Sequence, residues 1–188
     1  MRIIGGEHRG LALASVGKGD AGAHLRPTSD RVRESLFNLL AHAHGDPAPG
    51  ARVLDLFAGT GALGLEALSR GAAHVTFVDD GAKARALLRE NIEKMRAYGS
   101  TKLYRRDATR LGENRGATFN LIFLDPPYGK GLGERAIASA VAGGWLAPGA
   151  LVVWEENAPQ PAPEGFASLD RREYGDTHIT ILRAPSAS

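Results

Sequence analysis

Hydrophobic positions along this chain follow two periods. Val32, Leu36, Leu39 and Leu40 recur at helical spacing, with Thr28 or Ser29 placed to cap a helix starting near Asp30 and ending at the loop GDPAPG. From Arg52 onward, short apolar runs alternate with helical segments. RVLDLF predicts a first strand, followed by a glycine loop and a helix from Ala62 to about Ser69. HVTFVDD predicts a second strand, GAKARALLRENIEKMRAY a further helix, and KLYRRD a third strand. FNLIFLDPPY predicts a fourth, stopped by two prolines that cannot continue a hydrogen-bond ladder. A helix over 133–142, a turn in GGWLAPG, a fifth strand ALVVWEE and two last strands in FASLDRREY and THITILRA complete the series. Such alternation predicts an α/β fold with a mostly parallel sheet covered on both faces, and the Gly175-Asp176 turn predicts a C-terminal antiparallel hairpin. The opening RIIGGEHRGLALASVGKGDAGAHLRPTSDR has short apolar pairs and many glycines but no helical period, which suits a small hairpin or irregular arm.

Composition narrows the chemistry. The 188 residues, 43% hydrophobic and 23% charged, suit one ordinary globular domain with a real core. No apolar run approaches the roughly 18 residues that cross a bilayer, and the start lacks the continuous apolar stretch of a signal peptide, so the expected compartment is the cytoplasm. With no cysteine, disulfide scaffolds, thiolate metal sites and cysteine nucleophiles drop out. The histidines at 8, 24, 42, 44, 74 and 178 are scattered without ligand spacing, so no metal is expected. Net charge is only +2, but its distribution is uneven. Arg2, Arg9, Lys18, Arg26, Arg31 and Arg33 outnumber the acids of the first 33 residues, and Lys83, Arg85, Arg89, Lys94, Arg96, Lys102, Arg105 and Arg106 face only Glu90 and Glu93. This is either a side turned toward a polyanion or a solvated helix face.

In an open α/β sheet, ligands bind beyond the carboxyl ends of the strands. The first such end carries DLFAGTGALG, in which Gly59, Gly61 and Gly64 satisfy GxGxxG between a strand and a helix. NAD, FAD and S-adenosylmethionine sites all use this pattern, and a plain tight turn shares it. Asp55 separates the candidates, because a carboxylate there suits a methionine ammonium or sulfonium better than a pyrophosphate. Asp79 and Asp80 end the second strand, and either can accept hydrogen bonds from ribose hydroxyls. Asp107 and the Ala108 N–H, after the third strand, can meet an adenine, although Asp107 alone also suits a helix cap. The most informative string is DPPY at 125–128. It offers the Asp125 carboxylate, the Pro126 carbonyl and the Tyr128 ring, a set that can hold and stack a planar amine whose lone pair is delocalised into a nucleobase. Glu155 and Glu156, ending the fifth strand, read as solvated surface residues that could reach the substrate site, and Trp145 and Trp154 as core or strand residues.

Together these motifs resemble class I S-adenosylmethionine-dependent methyltransferases, and DPPY resembles their amino-methyltransferase motif. RIIGGEHRG, RPTSDRVRESLFNLL, DLFAGTGALGLEALSRGA, FVDD, FLDPPY and YGDT are similar to segments of the bacterial RsmD family, the 16S ribosomal RNA (guanine-N2) methyltransferases. The resemblance implies a seven-stranded Rossmann-like sheet, with residues 1–27 as an extension, a small β-hairpin that contacts the ribosome, and 28–188 as the methyltransferase domain. It implies S-adenosylmethionine as donor and no metal, with Asp55, Phe57, Gly59, Thr60, Gly61, Asp79, Asp80, Asp107 and Ala108 on the donor. It places Asp125, Pro126 and Tyr128 on the target guanine, and Arg2, Arg9, Arg26, Pro27, Thr28 and Arg31 on the RNA. The implied partner is 16S rRNA within the 30S subunit; from the residues themselves a monomer is expected, with no membrane and no obligate protein partner. One departure is FVDD in place of the more usual FVE. The expected reaction is an in-line displacement by guanine N2, with catalysis mostly by positioning. Alternatives are a methyltransferase of another nucleobase amine such as adenine N6, an NAD-dependent oxidoreductase built on GTGALG, and a nonenzymatic RNA-binding module using the basic face.

Overall fold

The computed structural model describes residues 1–15 and 28–186. Helix α1 spans Asp30–Ala43, and the Ser29 hydroxyl caps it by accepting from the Val32 N–H at 3.1 Å. There follow β1 (Arg52–Leu56), α2 (Ala62–Ser69), β2 (His74–Val78), α3 (Ala82–Lys94), β3 (Thr101–Tyr104), β4 (Phe119–Leu124), α4 (Leu132–Ala142), β5 (Leu146–Glu156), β6 (Ala167–Tyr174) and β7 (Thr177–Arg183). The seven strands form one sheet in the order β3-β2-β1-β4-β5-β7-β6, parallel through β5 and antiparallel across β5–β7 and β7–β6. The Rossmann-like α/β sheet and its C-terminal hairpin therefore match expectation.

Alternation within each strand builds two cores. Val53, Leu121, Phe123, Leu151 and Val153 face one way, against α1, α2 and α3 residues such as Phe37, Leu65 and Leu88. Leu54, Leu56, Ile122, Leu124, Val152 and Trp154 face the other way, against Ala136, Ile137 and Ala140 of α4. Trp145 and Trp154 are buried, as the sequence suggests.

Some boundaries differ from expectation: α3 ends at Lys94 rather than near Tyr98, and β3 ends at Tyr104 rather than Asp107. The strand expected to begin at Ala150 starts at Leu146, because Leu146 already pairs with Phe119. Between that pair and Leu121↔Leu151, residues 147–150 stand against Asn120 alone, so the turn read in GGWLAPG is a bulge inside the strand.

The amino-terminal arm is tied to the domain. Its described part makes one antiparallel bridge, Arg2↔Ala12. The Ile4 and Gly5 N–H groups donate to Glu66 of α2 at 2.9 and 3.0 Å, the His8 N–H to Ser69 Oγ at 2.9 Å, and Ala14 exchanges hydrogen bonds with the Asn91 side chain of α3. Arg33, counted above in the basic amino-terminal stretch, is fully buried: it pairs with Glu66 at 3.1 Å and with Asp30 at 2.9 Å, and donates to the Arg2 carbonyl. Arg85 is likewise buried. Both leave the polyanion-facing set, because a guanidinium inside the packing cannot reach a phosphate in solvent, and that of Arg33 is already matched by Glu66 and Asp30. Among the described residues, no helix is long and apolar enough to cross a membrane, and no group of three or more acidic or histidine side chains could hold a metal ion.

Candidate active site

The chain runs outward through β1, β2 and β3, then returns to place β4 beside β1. That reversal opens a crevice at the carboxyl ends of β1 and β4, where α/β sheets bind ligands. Asp55 lies opposite Phe123 in the register, and the Asp125 N–H donates to the Leu56 carbonyl at 3.4 Å, so the glycine loop and DPPY open onto the same space. A cavity of about 400 Å³ fills it.

The loop after β1 is shaped by close packing. Phe57 has a φ of 57°, left-handed for a bulky residue, a strained geometry that turns the chain away from the strand end. A Cβ on Gly64 would stand 2.5 Å from the Phe77 ring and 2.9 Å from Asp55 Oδ2, so only glycine lets α2 lie this close to the sheet. The Gly64 N–H donates to Asp55 at 3.0 Å. Burial pushes the Asp55 carboxyl well above the usual carboxylate range; that N–H opposes the shift and the neighbouring Asp79 adds to it. Asp79 accepts from the Gly59 N–H at 2.9 Å and from the Gly81 N–H at 2.8 Å. Its carboxyl is also raised, first by burial and then by Asp80, against the pull of those amides and Arg85. Asp107 caps a short 3-10 turn by accepting from the Thr109 N–H and hydroxyl at 2.8 and 2.7 Å. Burial works upward on it, but the Thr109 hydrogen bonds, with Arg110 and Arg135, carry it below its ordinary value.

The cavity brings together Thr28, Asp55, Phe57, Gly59, Thr60, Asp79, Asp80, Asp107, Ala108, Asp125 and Pro126 from the sequence-predicted set. Gly61 does not line it but begins α2 with a φ of 82°. Tyr128 stands to one side, its hydroxyl 3.5 Å from Glu155 Oε1. Arg2, Arg9 and Arg31 are exposed and outside the cavity, and Arg26 and Pro27 lie outside the described residues.

Two wall residues, Lys83 and Arg106, were expected only as members of the basic stretch and not as lining of the crevice. The larger correction concerns Glu155 and Glu156, expected as solvated surface. Both are buried. Glu155 accepts from the Thr28 hydroxyl at 2.9 Å, and Glu156 accepts from the Gly129 N–H at 3.2 Å. They are covered because β7 pairs beside them, through Glu155↔Ile179 and Glu156↔His178.

A family model described as conserved hypothetical protein 95 matches residues 1–183. Ribosomal RNA small subunit methyltransferase D of Escherichia coli K12 is 40% identical over 163 residues, covering 87% of this chain and 78% of that protein. The chain belongs to the RsmD family. The Haemophilus influenzae relative of the same name is 34% identical over 182 residues, covering 93% of this chain and 89% of its own. Among solved structures, yhhF from Escherichia coli superimposes with a TM-score of 0.81 at 34% identity, covering 100% of this chain and 99% of that one. The fold is the class I methyltransferase fold, and its crevice is where this RsmD family member carries both the GxGxxG loop and DPPY.

Proposed function

We propose that this protein transfers a methyl group from S-adenosylmethionine to the exocyclic N2 of a guanine in 16S ribosomal RNA, acting on assembled 30S subunits as a monomer. The observation that carries the proposal is the junction of DPPY with an acidic donor crevice at one strand reversal. The residues present fit a cationic donor: Asp55 is a buried and Asp79 a half-buried carboxylate, and a positive charge would reverse the shifted equilibria of both. The donor supplies an electrophilic methyl group. Asp55, with the loop of Phe57, Gly59, Thr60 and Gly61, holds its amino-acid end; Asp79 and Asp80 hold the ribose; Asp107 and the Ala108 N–H meet the adenine.

Asp125 and the Pro126 carbonyl accept the two N–H groups of guanine N2, which turns the lone pair toward the donor side, and the Tyr128 ring stacks on the base. The amine becomes acidic as the new bond forms, so Asp125 or water takes its proton afterwards. Positioning and electrostatic stabilisation then account for most of the rate. Thr28 stands at the entrance. Arg2, Arg9, Arg26 and Pro27 of the 1–27 extension, with Arg31 on α1, contact the RNA, and residues 28–188 carry the chemistry.

Asp125→Ala tests the division of roles. Methyl transfer is expected to fall by about a thousandfold, while S-adenosylhomocysteine affinity, read by calorimetry, stays within about twofold. A parallel collapse of donor affinity would refute the assignment of Asp125 to the acceptor.

A further inference from the structure

DPPY recognises an amine, and both guanine and adenine carry one. The two bases differ in the atom beside it. Guanine presents an N1–H next to its N2 amine, whereas adenine presents an unprotonated N1 acceptor next to its N6 amine. A site that distinguishes them needs a fixed acceptor or a fixed donor adjacent to Asp125.

Thr28 lines the cavity together with Asp125 and Pro126. Its hydroxyl donates to Glu155 Oε2 at 2.9 Å, and the two residues are 7% and 5% exposed. A threonine hydroxyl has one proton and two lone pairs. With the proton directed at a carboxylate, Thr28 Oγ1 presents lone pairs to its remaining neighbours. The other oxygen of Glu155 lies 3.5 Å from the Tyr128 hydroxyl, so one buried carboxylate spans the residue at the entrance and the last residue of DPPY.

We infer that Thr28 and Glu155 together set the choice of base: Thr28 Oγ1 accepts the guanine N1–H while Asp125 and the Pro126 carbonyl hold the N2 amine. Glu155 is a positioning residue, acting by fixing the direction of the Thr28 hydroxyl. The inference rests on the guanine-N2 proposal above and adds what DPPY alone does not provide. Adenine in the same pose would set its N1 lone pair against those of Thr28 in a desolvated corner, where an unmatched polar contact is most costly.

The test uses 30S subunits reconstituted on 16S RNA that carries guanine or 2-aminopurine at the nucleotide labelled by the wild-type protein. 2-Aminopurine keeps the N2 amine but has an unprotonated N1. Wild-type kcat/KM is expected to favour guanine by about a hundredfold. Thr28→Val removes the acceptor at nearly constant shape. Glu155→Gln can donate its amide N–H to Thr28, which frees the hydroxyl proton to face the base. Each is expected to bring the ratio to within about tenfold, and Thr28→Ser to restore the wild-type ratio. S-adenosylhomocysteine affinity within about twofold of wild type marks a variant as folded, and if one variant does not fold, the wild-type ratio and the other variants still decide. A wild-type ratio near one, or a hundredfold ratio that survives both substitutions, overturns the inference and leaves the guanine assignment standing. Label on adenine with none on guanine N2 overturns that assignment, and the inference with it.

Discussion

Asp55 and Glu66 are both inaccessible carboxylates, one ending β1 and the other on the helix that follows, and the molecule treats them in opposite ways. Glu66 receives Arg33 Nε at 3.1 Å, Arg70 Nε at 2.9 Å and the N–H groups of Ile4 and Gly5. Its charge has cations within the fold, and it binds arm, α1 and α2 together. Asp55 receives the Gly64 N–H, and no cationic side chain among the described residues hydrogen-bonds to it; a second carboxylate, Asp79, stands near. Burial alone therefore does not distinguish a structural charge from a functional one. The inventory of partners does: a carboxylate already matched inside the fold is a joint, and one matched only by amides in a crevice suits a cation from outside.

The largest expected effect comes from breaking the matched side. Glu66→Ala leaves Arg33 buried without its main partner and should cost about 3–5 kcal/mol, read as a large fall in the thermal midpoint. The unmatched side should respond in the opposite sense. Asp55→Asn keeps an acceptor for the Gly64 N–H but removes a buried charge, so the donor-free protein should melt higher at neutral pH. Affinity for S-adenosylmethionine should fall about tenfold or more, or about 1.4 kcal/mol. A stable Glu66→Ala protein beside a destabilised Asp55→Asn protein would erase the distinction.

A smaller effect sharpens the same contrast through pH. The folded-state carboxyls of Asp55 and Asp79 lie above their ordinary 3.8, so the folded protein keeps protons that the unfolded chain releases. The sign follows: stability of the donor-free protein declines as pH rises from that ordinary value through the raised ones, and donor affinity climbs over the same interval. Calorimetry in buffers of different ionisation enthalpy should detect proton release on donor binding below neutral pH, diminished in Asp55→Asn. Proton uptake, or a pH-independent affinity, would contradict this account of the crevice.

Much of the fold was legible because parallel strands buried on both faces appear as near-continuous apolar runs, as in FNLIFL and VLDLF. The crevice was legible for a related reason: GTGALG and DPPY each sit where a strand must end. What escaped depended on contacts distant in sequence. A Glu-Glu pair at a strand end reads as solvated until β7 is known to pair beside it and Thr28 to hydrogen-bond with it. A basic residue in RPTSDRVRE reads as part of an RNA-facing surface until Glu66 is found against Arg33. The early start of β5 was hidden by Pro148 and Gly149, which mark a turn in most settings and here occupy a bulge.

The most direct test is methyl transfer from labelled S-adenosylmethionine to unmodified 30S subunits, protein-free 16S RNA and duplex DNA, with each product digested to nucleosides. The account predicts N2-methylguanosine, with 30S subunits the preferred acceptor. Label in adenine, or no label on any acceptor despite measurable donor binding, would contradict it.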